Sequence, residues 1–209
     1  MIKAIKVLVA LLILAPMAAL AADYQEGKHY FKLDTPVSTK ASGKVEVAEA
    51  FWYGCPHCYT LEPVLNAWKN KLPEHAEFRK VPAQFSKTWR THGQLYFALD
   101  SLDIPKSVHD DVFNAIHKQN RKLSTRDEMV SFVKAYGVSE AAFDKAFKSF
   151  KVRNEMRQAD AVVKGSRIAG VPALIINGKY RISAQSAGGN AEMLKVADYL
   201  IEQEKKQLN

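Results

Sequence analysis

The chain contains two cysteines, and they stand three residues apart in the run Cys55-Pro56-His57-Cys58. A disulfide closing so short a loop removes little entropy from the unfolded chain, so it would be a poor structural staple. Chemistry is the better use of the pair: thiol–disulfide exchange, in which a thiolate attacks a disulfide sulfur and passes through a mixed disulfide. A structural zinc or an iron–sulfur cluster needs about four ligands, and there is no second Cys-x-x-Cys to complete one. Covalent haem attachment needs histidine directly after the second cysteine, where Tyr59 stands. His29, His75, His92, His109 and His117 fall in different predicted elements and read as surface residues, so no metal is expected.

The flanking sequence positions the two sulfurs differently. From Val45 to Tyr53 both alternating sides are largely apolar, which predicts a central strand covered on both faces. Gly54 ends it, and Pro56 opens a helix where its missing N–H costs nothing. Leu61, Leu65, Trp68 and Leu72 then form one apolar helical stripe, with a kink expected at Pro63, which removes the bond to the Tyr59 carbonyl. Cys55 therefore sits at a helix N-terminus, where free backbone N–H groups and the dipole stabilise its thiolate and lower its pKa. Cys58, one turn in, is expected to be the more buried and to resolve the mixed disulfide. His57 can add a hydrogen bond or partial positive charge to Cys55. A stabilised thiolate favours the dithiol, which makes the disulfide a stronger oxidant.

Glu49 interrupts the apolar strand six residues before Cys55. Burying a carboxylate is costly unless it has partners or a task. At a sheet edge it would escape that cost; beneath the active site it could exchange a proton with Cys58.

Elsewhere, short strands are predicted at Tyr30–Leu33 and Glu77–Val81, and helical spacing takes over between about Gln84 and Lys164. Within that block Trp89, Tyr96 and Leu99 mark one helix and Val108, Val112 and Ile116 another. Thr125 and Glu128 have capping-box spacing before a third stripe, and Phe143, Phe147 and Phe150 continue the apolar pattern. Strand character returns over Ala173–Ile182 around an Asn177-Gly178 hairpin turn, and a last helix is expected with Asn190 as its N-cap. The order implies an α/β sheet interrupted by an all-α domain.

The first residues combine Lys3 and Lys6 with an apolar stretch from Val7 to Leu20 and small residues at Ala21 and Ala22, the pattern of a secretory signal peptide. The expected signal is 1–21, with cleavage after Ala21 or Ala22. Its removal lowers the formal charge of +8 by the two lysines to +6, and the remaining basic residues are interspersed with acidic ones. A nucleic-acid footprint would be more clustered, so no nucleic-acid partner is expected.

Phe51-Trp52-Tyr53-Gly54-Cys55-Pro56-His57-Cys58-Tyr59, together with Gly170-Val171-Pro172-Ala173 and Asn177-Gly178-Lys179-Tyr180, resembles the DsbA family of periplasmic disulfide-forming oxidases in the thioredoxin superfamily. The resemblance covers essentially the whole mature chain. It implies a thioredoxin fold built from 22–83 and 165–209, with an inserted helical domain at 84–164 and a cis peptide bond at Val171-Pro172. It further implies that Val171 backbone groups pair with the substrate chain, and that Pro172, having no N–H, cannot compete for the thiolate. Glu49 matches the family's buried acidic residue and Lys80 its lysine partner. The implied activity is donation of the Cys55–Cys58 disulfide to reduced, newly exported proteins in the periplasm by a monomer without organic cofactor or metal. Reoxidation would fall to a quinone-linked inner-membrane protein of the DsbB type. The competing readings are a periplasmic reductase or isomerase, and a non-enzymatic chaperone-like binding protein for which both cysteines would be dispensable.

Overall fold

The computed structural model describes residues 24–208, so the expected signal peptide lies outside the described residues. In chain order the elements are β1 (Phe31–Lys32), β2 (Val45–Phe51), α1 (Pro56–Lys69), β3 (Ala76–Pro82), α2 (Lys87–Ser101), α3 (Val108–His117), α4 (Arg126–Val133), α5 (Glu140–Phe147), α6 (Phe150–Gly165), β4 (Ala173–Ile176), β5 (Tyr180–Ser183), α7 (Ala184–Ala187) and α8 (Asn190–Lys205). A five-stranded sheet in the order β1-β5-β4-β2-β3 carries the fold, with β2 parallel to β3 and antiparallel to β4. Helices α2 to α6 are all inserted between β3 and β4.

Every residue of β2 is buried, as its two apolar sides require. Val45 and Val47 face α1 and α8, packing with Leu61, Leu65, Leu174 and the apolar stripe of α8. Ala48 and Ala50 face the opposite way, against Ala159, Val162 and Val163 of α6. A third cluster joins the inserted helices to Phe51, Tyr53 and both cysteines, so the redox pair lies on the seam between insert and sheet. Removing that apolar surface from water, at about 25 cal/mol per Å², holds insert and sheet together.

Local signals act as their chemistry dictates. Thr125 and Glu128 form the reciprocal capping box at the start of α4. In the β4–β5 hairpin both Asn177 (φ 48°) and Gly178 (φ 66°) are left-handed, as a type I′ turn demands. Gly178 is required twice over, because a Cβ there would lie 2.2 Å from the Val37 carbonyl oxygen.

Three expectations need correction. Gly189, not Asn190, occupies the N-cap of α8; Asn190 is already helical, and no side chain caps that end. Only Phe31 and Lys32 of the Tyr30–Leu33 segment pair as strand, because Tyr30 instead bridges to Glu26 and the Leu33 N–H bonds the Lys179 carbonyl in the hairpin turn. Phe150 does not extend the apolar stripe of α5: Ser149 caps a new helix there and leaves the ring 69% exposed.

Candidate active site

Backbone geometry sets the reactivity of Cys55. The residue is the N-cap of α1, with extended φ and ψ of −84° and 117°, and its sulfur accepts the Cys58 N–H at 3.4 Å. Both cysteines are free thiols. The Cys55 thiol is pulled down to about 6, first by the hydrogen bond from the Cys58 thiol, then by the backbone N–H groups of Cys58 and His57 and the His57 charge, which together outweigh burial. Cys58 is driven well above the ordinary thiol range by burial, by its hydrogen bond to Cys55 and by the charge of Glu49. The two sulfurs are therefore unequal in the sense that exchange chemistry needs.

Cys55 is less open than a lone helix N-cap would be, at 7% exposure against 0% for Cys58. The loop before β4 covers it: the Cys55 thiol donates to the Val171 carbonyl at 3.5 Å, and the Val171-Pro172 bond is cis. Pro172 is buried beside it, while Pro56 and His57 are exposed. Residues 116 positions apart thus meet at one atom.

Beneath the pair lies a buried charge network. Glu49 continues the β2 face of Val45 and Val47, which looks toward α1, and the parallel register places it opposite Lys80 of β3. Lys80 Nζ donates to Glu49 Oε2 at 2.6 Å and also to Glu62 Oε1, and it lies 4.7 Å from the centre of the Phe51 ring. Glu49 is fully buried and sits in the interior of the sheet, not at an edge. Burial raises its carboxyl to about 7, against the opposing pull of Lys80 and with reinforcement from Glu62. Lys80 is itself held above the usual lysine range, because the two carboxylates outweigh its burial. Glu49 Oε1 has no hydrogen-bond partner among the described residues.

Glu62 is the site residue that sequence reasoning missed. It follows Cys58 by four positions, hence on the same helical face, and that spacing was the available signal. By contrast Glu46, the other glutamate of β2, points to the opposite face and is matched by Arg79 at 2.9 Å and the Lys40 N–H at 2.6 Å.

Three of the histidines read as surface residues are instead packed around the entry to the redox helix. His92 is 3% exposed and links the Trp52 indole N–H, accepted at 3.0 Å, to the Lys122 carbonyl. His109 meets the Tyr53 hydroxyl at 2.5 Å, and burial lowers its pKa to about 4. His117 Nε2 donates to the Tyr53 carbonyl at 2.8 Å and stacks on Tyr59 with centroids 4.6 Å apart. The sequence did not show this, because the contacts to Trp52, Tyr53 and Tyr59 cross from the insert to the β2–α1 connection and α1. Among the described residues no cluster of metal-ligating side chains forms.

A helix-capping, low-pKa cysteine paired with a buried one, on a sheet-and-helix frame beside a cis-proline loop, defines a dithiol–disulfide exchange protein of the thioredoxin class. Residues 46–200 match the family described as DSBA-like thioredoxin domain. The chain is 48% identical to the thiol:disulfide interchange protein DsbA of Azotobacter vinelandii over 184 residues, covering 88% of this chain and 86% of that one. It is 45% identical to the DsbA of Pseudomonas aeruginosa, covering 90% of each. A crystal structure of Pseudomonas aeruginosa DsbA superposes with a TM-score of 0.84 at 44% identity, over 88% of this chain and 96% of that one. The chain belongs to the DsbA family: it is a thiol:disulfide oxidoreductase with a thioredoxin-like fold and a helical insertion, and the redox-active cysteine pair takes the place of a cofactor.

Proposed function

We propose that Cys55 is the nucleophilic and electrophilic sulfur of the exchange, Cys58 the resolving thiol, and Glu49, Lys80 and Glu62 the buried group that manages the Cys58 proton. In the oxidising direction a substrate thiolate attacks the Cys55 sulfur of the Cys55–Cys58 disulfide. The S–S bond breaks and Cys58 departs as a thiolate that takes up a proton. A second substrate thiolate then attacks the substrate sulfur of the mixed disulfide and releases Cys55 as its stabilised thiolate. Two electrons have moved to the protein, and the substrate holds a new disulfide.

The observation that carries the oxidising direction is the Cys55 thiol at about 6, held there chiefly by hydrogen bonds to its sulfur. A good leaving thiolate makes the dithiol the favoured product. Val171 supports a substrate-binding role: its carbonyl lies 3.5 Å from the Cys55 sulfur, in the loop leading into β4 where an extended chain can pair by strand addition, with Pro172 beside it. His57 is exposed next to Cys55, and Pro56 fixes the first helical turn.

The substrates on this reading are reduced, newly exported proteins in the periplasm, and a quinone-linked inner-membrane protein of the DsbB type restores the disulfide. The thioredoxin-like part spans 22–83 and 165–209 and the helical insert 84–164, in a monomer. Among the described residues no helix is long and apolar enough to cross a membrane. The test is oxidative refolding of a reduced multi-disulfide protein by wild type and Cys55→Ala. Loss of catalysis in the variant is expected; retained catalysis would favour a binding role that does not use the cysteines.

A further inference from the structure

Beside the redox centre lies a cleft of about 510 Å³ bounded by His57, Val171, Pro172, Ile168, Phe31 and Arg181. Most of its wall is apolar or small, and no aspartate or glutamate lines it; its ionisable side chains are His57 and Arg181. Arg181 is held in place from two sides. Its guanidinium donates to the Arg167 carbonyl at 3.1 Å and lies 5.0 Å from the centre of the Phe31 ring. Among the described residues no carboxylate pairs with it, whereas Arg167 is tied to Asp34 at 2.7 Å. The cleft thus presents a fixed, half-buried fork of donors without an acidic partner, and that geometry suits a carboxylate.

Register gives the distance. Arg181 pairs with Ile175, four residues beyond Val171. At a rise of about 3.3 Å per residue that is about 13 Å along the strand direction, and the arginine side chain spans part of it. We infer that Arg181 gives the cleft a charge preference, selecting substrate segments that carry an aspartate or glutamate two to four residues from the reactive cysteine. This rests on the reading above that substrate lies along Val171. The apolar wall accepts neighbouring side chains of any uncharged kind, while Arg181 discriminates by sign: it attracts a carboxylate and repels a lysine or arginine at the same position.

The experiment compares reduced dicysteine peptides identical except for Glu or Lys at the third position from the reactive cysteine, oxidised by the disulfide form of the protein. The expected result is a kcat/KM about three- to fivefold higher for the Glu peptide at low salt, the size that an exposed charge pair gives, shrinking at high ionic strength. Arg181→Gln should bring the ratio to about one and Arg181→Glu should invert it. Arg153→Gln, the same charge change on the exposed start of α6 and outside the cleft, should leave the ratio intact, and so separates a local contact from the general basic charge. Equal kcat/KM for the two peptides in wild type, or loss of the preference in Arg153→Gln, would overturn the inference. Failure of wild type to oxidise either peptide would instead refute the oxidase reading on which it rests.

Discussion

Replacing Lys80 by Met isolates the energetic meaning of the buried network. Lys80 Nζ lies 2.6 Å from Glu49 Oε2, and at an effective dielectric of about 20 that contact alone corresponds to about 6 kcal/mol of gross attraction. Most of this offsets the desolvation of three groups whose side chains are all at most 8% exposed. Methionine keeps the volume but leaves Glu49 and Glu62 facing each other without a cation, and removing one partner of a buried pair costs about 3–5 kcal/mol. The loss depends on pH with a definite sign. Glu49 is already raised to about 7, so the folded state binds a proton that the unfolded chain releases near its ordinary carboxylate value, and this group's contribution falls as pH rises through about 7. Without Lys80 the Glu49 carboxyl is pushed further up, so the penalty should be near its full size at pH 8 and much smaller at pH 5, where the carboxyl is protonated. Equilibrium urea unfolding of the dithiol form at the two pH values measures it. A double variant, Lys80→Met with Glu49→Gln, should recover most of the loss, because no isolated charge remains at that contact. A penalty below about 1 kcal/mol, or one equal at pH 5 and pH 8, would refute the claim that these groups are charged and coupled in the folded protein.

Replacing His57 by Ser should raise the Cys55 pKa and weaken the oxidant, but by no more than about one unit or tenfold in the glutathione equilibrium, since the backbone donors remain; a redox titration decides. Gly178→Ala should cost more than about 1 kcal/mol of stability, from the clash with the Val37 carbonyl and the left-handed φ, while leaving the redox equilibrium unchanged; thermal unfolding and a glutathione titration read the two effects separately.

The degree to which the site was legible follows from where each signal lives. Cys55, Pro56 and Cys58 are local: four consecutive residues at a strand–helix junction specify an N-cap, a first-turn proline and a buried second thiol. Glu49 was visible because a charge within an apolar strand is conspicuous, yet its partners were not equally so. Lys80 became a partner through the β2–β3 register, and Glu62, in a helix with several polar residues, is indistinguishable from a solvated glutamate until the face it shares with Cys58 is seen to pack on the sheet. Val171 reaches Cys55 across 116 residues, a contact that family resemblance could suggest and local pattern could not. The histidines show the opposite failure. Their scatter along the chain suggested solvent, but the insert folds His92, His109 and His117 back onto Trp52, Tyr53 and Tyr59, where hydrogen bonds and ring contacts make burial tolerable.

The oxidising direction depends above all on one ionisation. The rate of Cys55 alkylation by iodoacetamide, followed from pH 4 to pH 10 in the dithiol form, should show a single transition near 6, with Cys58 unreactive throughout. The same ionisation links to stability: a depressed folded-state pKa adds stability to the dithiol form that is fully present above the unfolded thiol value and is lost as pH falls through about 6. A Cys55 transition at about 8.5, the value of an unperturbed thiol, would show that the helix start does not stabilise the thiolate and would contradict the oxidase mechanism.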